Sequence, residues 1–191
     1  MSSSSANSKR KLWVVAGLAA ILSLSLAVPA SAQKDEKDER KTKQTVAMSQ
    51  PVYEALMVIQ EFVEAEDFAS AQMEITKLRE KKKLSPYELA QIWNLSGYSY
   101  YLQEEYTKAI SSYKQVLAQP ELPEALTQST LKTLAQLHFT VEDYQLALET
   151  INRLMEVIAE PAADVYMLLG QAYFQMQKYE EAITPITTAI N

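Results

Sequence analysis

Residues 93–113 read WNLSGYSYYLQEEYTKAISSY, and residues 166–186 read YMLLGQAYFQMQKYEEAITPI. Counted from Gly97, the offsets +3, +9, +12 and +16 give Tyr100, Tyr106, Ala109 and Tyr113; from Gly170 they give Tyr173, Tyr179, Ala182 and Ile186. An aromatic, Trp93 or Tyr166, stands four residues before each glycine. Two further copies follow the same frame without glycine: Ile59, Phe62, Phe68, Ala71 and Ile75, then Ala135, His138, Tyr144, Ala147 and Ile151. All four keep an aromatic at +9 and alanine at +12. A pattern returning after roughly 30–40 residues marks a stack of supersecondary units rather than one closed core.

The frame sets the fold class. Val52, Ala55, Leu56, Ile59, Phe62 and Val63 form the one-sided stripe of an amphipathic helix. Pro51, Pro86, Pro120 with Pro123, and Pro161 each precede such a stripe, where a fixed φ and a missing N–H are tolerated. Short polar breaks (Ala65-Glu66-Asp67, Gln103-Glu104-Glu105, Val141-Glu142-Asp143, Gln177-Lys178) split each copy in two. The reading is all-α: eight helices in four antiparallel pairs, spanning 51–65 and 68–82, 86–102 and 105–118, 122–139 and 142–158, 161–176 and 179–190. A small residue at the frame position lets the second helix of a pair approach the first, with the +12 alanine as the reciprocal contact and the aromatics filling the space around it. Pro185 is expected to kink the last helix.

The first 50 residues read differently. Lys9, Arg10 and Lys11 precede an apolar run from Leu12 to Val28 and the small-x-small triplet Ala30-Ser31-Ala32, the layout of a secretory signal peptide over 1–32 cleaved after Ala32. Losing those three bases takes the net charge from −6 to −9. Residues 33–50 hold alternating acids and bases with almost nothing apolar, a solvated linker ahead of a folded domain at 51–191. The expected location is periplasmic, with no membrane span after cleavage. Acidity argues against a nucleic-acid partner, because no cationic excess is present to neutralise phosphates. The absence of cysteine removes disulfides and thiolate chemistry. The single histidine, His138, excludes a multi-histidine metal site, and its +3 slot makes it a core ring. Glu104 with Glu105 and Glu142 with Asp143 sit where acids favour a helix N-terminus. No phosphate loop, serine elbow or HExxH helix is present, so the expectation is no enzyme, no cofactor and no metal.

The pattern Trp93-x3-Gly97-x2-Tyr100 followed by Tyr106-x2-Ala109-x3-Tyr113, and its copy from Tyr166 to Ala189, resembles the tetratricopeptide repeat. That resemblance covers Pro51 to Asn191 and implies a right-handed α-solenoid whose concave groove is lined by the first helices. Departures are a short spacer before Pro120 and His138 in an aromatic slot. The leader, the linker and the stretches Met48–Glu61, Thr133–Phe139 and Pro161–Tyr173 are also similar to the exported repeat proteins that accompany TonB–ExbB–ExbD energy-transduction systems in gammaproteobacteria.

Most tyrosines fall in packing slots, so candidate partner-binding residues are sought one step along each first helix. Offset −3 gives Leu56, Asn94, Lys132 and Met167; +1 gives Gln60, Tyr98, Gln136 and Gln171; +4 gives Val63, Tyr101, Phe139 and Phe174. Carboxamides in such rows satisfy the N–H and C=O groups of an extended peptide, and the aromatics offer apolar pockets. The expected partner is therefore an extended segment or a helix of another protein. Ile183, Ile186 and Ile190 have no later polar helix to cover them and form a candidate association face, for a continuation of the repeat, a partner or a second copy.

Overall fold

The computed structural model describes residues 47–191; the expected signal peptide and residues 33–46 of the expected linker lie outside the described residues. The described chain forms helices α1 (Gln50–Glu64), α2 (Phe68–Arg79), α3 (Pro86–Leu102), α4 (Tyr106–Leu117), α5 (Glu124–Thr140), α6 (Tyr144–Val157), α7 (Ala163–Gln175) and α8 (Tyr179–Ile190), with no strand among the described residues. α1 packs on α2, α3 on α4, α5 on α6 and α7 on α8, and each second helix packs on the first helix of the next pair. This is the all-α repeat architecture that the four-fold frame calls for.

Local chemistry sets the boundaries. α3 opens with a full capping box: Glu88 N donates to Ser85 Oγ at 3.2 Å, and Ser85 N donates to Glu88 Oε2 at 2.7 Å, with Pro86 in the first turn. Asp67 and Asp143 cap α2 and α6 by accepting from Ser70 N at 3.1 Å and Leu146 N at 3.2 Å. Glu105 does not cap α4; its carboxylate instead pairs with Lys108. α2 stops at Arg79, short of the expected 82, because nothing after Leu78 in that stretch is buried and no packing holds another turn. α8 stays helical through Pro185, which is buried inside it.

The turn inside every pair repeats one backbone solution. Glu66, Glu104, Glu142 and Gln177, all at offset +7, have left-handed φ values of 58°, 60°, 60° and 60°. Glu66 N donates to Val63 O at 3.1 Å and Asp67 N to Phe62 O at 2.9 Å, and the other three turns carry the same two bonds. This is the Schellman closure, which occupies the last carbonyls of the first helix and reverses the chain. None of the four positions is glycine, so each bears a β-carbon in a region that disfavours one.

Packing follows the frame. The +12 alanines Ala71, Ala109, Ala147 and Ala182 are all buried. The side chain nearest to where the glycine's β-carbon would stand is the one at +16. A Cβ on Gly97 would meet the Tyr113 ring, Cε2 at 2.9 Å, and one on Gly170 would meet Ile186 Cγ1 at 2.4 Å. The apolar clusters run on from pair to pair: Ile92, Leu95 and Tyr98 of α3 join the cluster of α1 and α2, while Trp93 and Tyr100 join that of α4 and α5. Met48 already packs on the first cluster, and both Ser49 N and Ser49 Oγ donate to Glu88 Oε1, so residues ahead of Pro51 take part in the packing.

Candidate functional site

α1 lies beside α3, and α5 reaches α7, which brings the candidate rows of those helices alongside one another. Ser49 at the head of α1 bonds Glu88 in α3, and Lys132 in α5 pairs with Asp164 in α7. On an ideal helix the offsets −3, +1 and +4 fall within about 60° of one another, so each first helix contributes one narrow stripe.

The +4 row grows more accessible along the chain. Val63 is buried, Tyr101 and Phe139 are half-buried, and Phe174 is 55% exposed. Each ring leans on the +9 aromatic across the pair's turn, with centroid separations of 6.0 Å for Tyr101–Tyr106, 6.2 Å for Phe139–Tyr144 and 5.4 Å for Phe174–Tyr179. These tilted and edge-on geometries suit aromatic quadrupoles and hold the rings in place. The row is thus a set of braced rings, and only the last presents most of its surface.

In the +1 row, Gln60 donates to Glu64 Oε1 at 2.8 Å. Tyr98 packs on the first cluster, and its hydroxyl pKa is raised by burial and then by the nearby Glu64 carboxylate. Gln136 and Gln171 are exposed; Gln136 O accepts from Thr140 Oγ1 at 3.0 Å, but neither carboxamide side chain has a hydrogen-bond partner among the described residues. In the −3 row Leu56 and Asn94 are half-buried and Met167 is exposed. Lys132 is ion-paired with Asp164, so the stripe offers no net positive charge at that point. Burial, then Tyr106, Tyr98 and Glu104, raise the Tyr101 hydroxyl pKa.

The structure therefore brings Gln136, Met167, Gln171 and Phe174 together as an accessible polar–aromatic strip on α5 and α7, with Phe139 half-buried against the core beneath it. Gln60, Asn94, Tyr98 and Tyr101 belong to the same stripe but are more engaged with their own surroundings. Glu64 and Asp164 carry no mark in the repeat frame that makes them neighbours of these rows, whereas Tyr179 stands in its +9 slot. At the far end Ile183 and Ile190 are 63% and 72% exposed, and Ile186 is half-buried against Gly170.

His138 is buried at 2% exposure, as its slot requires. It floors a cleft of about 310 Å³ that Glu149 also lines. No hydrogen bond joins the two, and the Thr150 hydroxyl beside them donates to Leu146 O at 2.7 Å. The cleft thus holds no base-activated nucleophile. Among the described residues no cluster of metal-ligating side chains occurs, and no helix is long and apolar enough to cross a membrane.

Comparison with known proteins adds the family. Two models described as tetratricopeptide repeat match residues 56–124 and 163–190. A solved structure of MamA from Desulfovibrio magneticus RS-1 superposes with a TM-score of 0.58 at 19% identity, covering 75% of this chain and 76% of that one. A tetratricopeptide repeat protein from Parabacteroides merdae ATCC 43184 gives 0.60 at 23% identity, covering 72% of this chain and 51% of its own. At these identities the likeness speaks for the fold alone. No curated protein sequence matches the chain.

Proposed function

The chain belongs to the tetratricopeptide-repeat family, and on that premise we propose that it is an exported adaptor that holds an extended segment or a helix of another protein along its first helices. A protein–protein interaction role goes with the repeats. The observation that carries the finer reading is the accessible strip on α5 and α7, where Gln136 and Gln171 keep their carboxamides free beside Met167 and Phe174. Amide groups at that spacing bond to a peptide backbone, and an exposed ring next to a thioether takes up its apolar side chains.

The periplasmic location rests on the signal layout of residues 1–32. The narrower role, accessory to a TonB–ExbB–ExbD system and so to energised outer-membrane uptake, rests on the similarity of the leader, the linker and three stretches of the repeat. Site-specific photo-crosslinking in the native envelope tests the reading. A photoreactive residue at Tyr101 or Phe174 gives a discrete adduct with one partner; no adduct from either, with strong ones from Ile190, overturns it.

A second reading, a self-associating envelope scaffold, is favoured by the exposure of Ile183 and Ile190 on α8. Light scattering separates the two. A scaffold is a stable dimer or larger that Ile190→Asp dissociates, whereas the adaptor keeps its mass in that variant.

A further inference from the structure

His138 breaks the repeat. The +3 slot carries Phe62, Tyr100 and Tyr173 in the other copies, each with a six-membered ring, and here it carries a smaller imidazole. In the second copy the Tyr100 ring reaches beneath the +11 side chain, with Lys108 Nζ 5.4 Å from its centroid. In the third copy the +11 residue is Leu146, and it lines the cleft of about 310 Å³ above His138. The cleft therefore lies where a phenol at the +3 slot would extend. Its volume falls at the lower end of the range of small-molecule sites.

The cleft is separate from the partner strip. Leu134 and His138 sit at offsets −1 and +3 of α5, about 150° around the helix from the −3, +1 and +4 stripe. Its walls come from the second helices α4 and α6. They combine apolar Leu117 and Leu146 with two cations, Lys114 and Arg153, neither ion-paired among the described residues, and one carboxylate, Glu149. At the floor, His138 Nδ1 is buried and has no hydrogen-bond partner among the described residues. Burial, and then Lys114, push the imidazole toward its neutral form, with Asp143 and Glu149 opposing. A neutral ring presents one donor and one acceptor.

We propose that this cleft is a binding site for a small aromatic carboxylate. The ring takes the space that a tyrosine side chain fills in a neighbouring copy, against Leu117, Leu134 and Leu146. The carboxylate lies at the rim between Lys114 and Arg153, where a guanidinium binds it through two parallel hydrogen bonds. The chemistry is shared by a free aromatic acid and by the C-terminal tyrosine or phenylalanine of a peptide.

Because the chain has one histidine, its imidazole resonance needs no assignment. Titrating the full mature chain with 4-hydroxybenzoate, and separately with N-acetyltyrosine, while following the His138 Cε1–H signal reads the site directly. The expected result is a saturable shift that weakens by about tenfold in Arg153→Gln, a loss in the range of a charged hydrogen bond. The tighter of the two probes identifies the free acid or the peptide terminus as the source. In His138→Tyr the added ring fills the cleft, and calorimetry finds no binding while melting is retained or raised. A shift that never saturates with either probe, one undiminished in Arg153→Gln, or undiminished heat in a folded His138→Tyr overturns the proposal.

Discussion

The ring of Tyr113 lies directly over Gly97, so close that a Cβ added there would stand 2.9 Å from Cε2 and 3.0 Å from Cζ. Tyr113 is itself fully buried, so the ring has no space into which to withdraw. Gly97→Ala gains helix propensity and loses packing, and overpacking dominates at a site this tight. A net destabilisation of about 1–3 kcal/mol in urea unfolding is expected. At Gly170 the obstacle is Ile186, which is half-buried in the last pair. Ile186→Ala should therefore restore most of the loss caused by Gly170→Ala, a coupling that a double-mutant cycle measures.

The left-handed turn residues make the opposite prediction. Glu142 has φ 60° and an exposed side chain, so its β-carbon costs energy with little burial to offset it. Glu142→Gly relieves the backbone and loses some of the gain to unfolded-chain entropy, for a net stabilisation of about 0.5–1 kcal/mol. Glu142→Val places a branched side chain in the same region and lowers the melting temperature. Loss of stability in the glycine variant would contradict the strain assigned to these turns.

Acid should detach the start of the solenoid first. Burial by itself raises the Glu88 carboxyl pKa, but hydrogen bonds from Ser49 and Ser85 outweigh it and hold the pKa at about 2, against an ordinary value of 4.5. The native state therefore binds its proton later than the unfolded chain. This stabilisation is complete above about pH 4.5 and is lost as pH falls toward about 2. It amounts to about 1–2 kcal/mol after allowance for solvent screening. Glu88→Gln should lower stability at neutral pH by about that amount and flatten this part of the acid-unfolding curve.

The ion pair between α5 and α7 is worth far less. Lys132 and Asp164 are both substantially exposed. Asp164→Asn should change unfolding free energy by less than about 1 kcal/mol. It does leave Lys132 unpaired, so a partner that carries acidic side chains should bind the variant more tightly and with a steeper salt dependence. An unchanged salt dependence would place the bound segment away from this pair.

Much of this architecture was legible because the repeat is. Four alanines at +12 and four aromatics at +9 fix where helices pair, and the helices run close to the spans read from them. What the frame does not reveal is which side chain meets the glycine. Ala109 and Tyr113 are one turn apart on the same face, and only packing in three dimensions selects the tyrosine. Helix ends drifted where sequence periodicity outlasted burial, as in the lysines after Arg79. The partner rows were readable as positions but not as degrees of exposure. Whether an aromatic at +4 is free depends on how it leans on the +9 ring and on what else packs around it. The sequence marks His138 as a departure from the aromatic slot, but the cleft that it lines depends on the second helices on either side.

In the adaptor reading the first-helix strip, and not the α8 face, holds the partner. The most direct measurement is the affinity of the partner recovered by crosslinking for the wild-type chain and for two variants, Phe174→Ala and Ile190→Asp. Phe174 is exposed and braced only at one edge, so its truncation leaves the fold intact and isolates binding. Phe174→Ala should lose affinity by about tenfold or more, in the range of an aromatic anchor, and Ile190→Asp should not change it. Unchanged affinity for Phe174→Ala, with loss for Ile190→Asp, would contradict that reading.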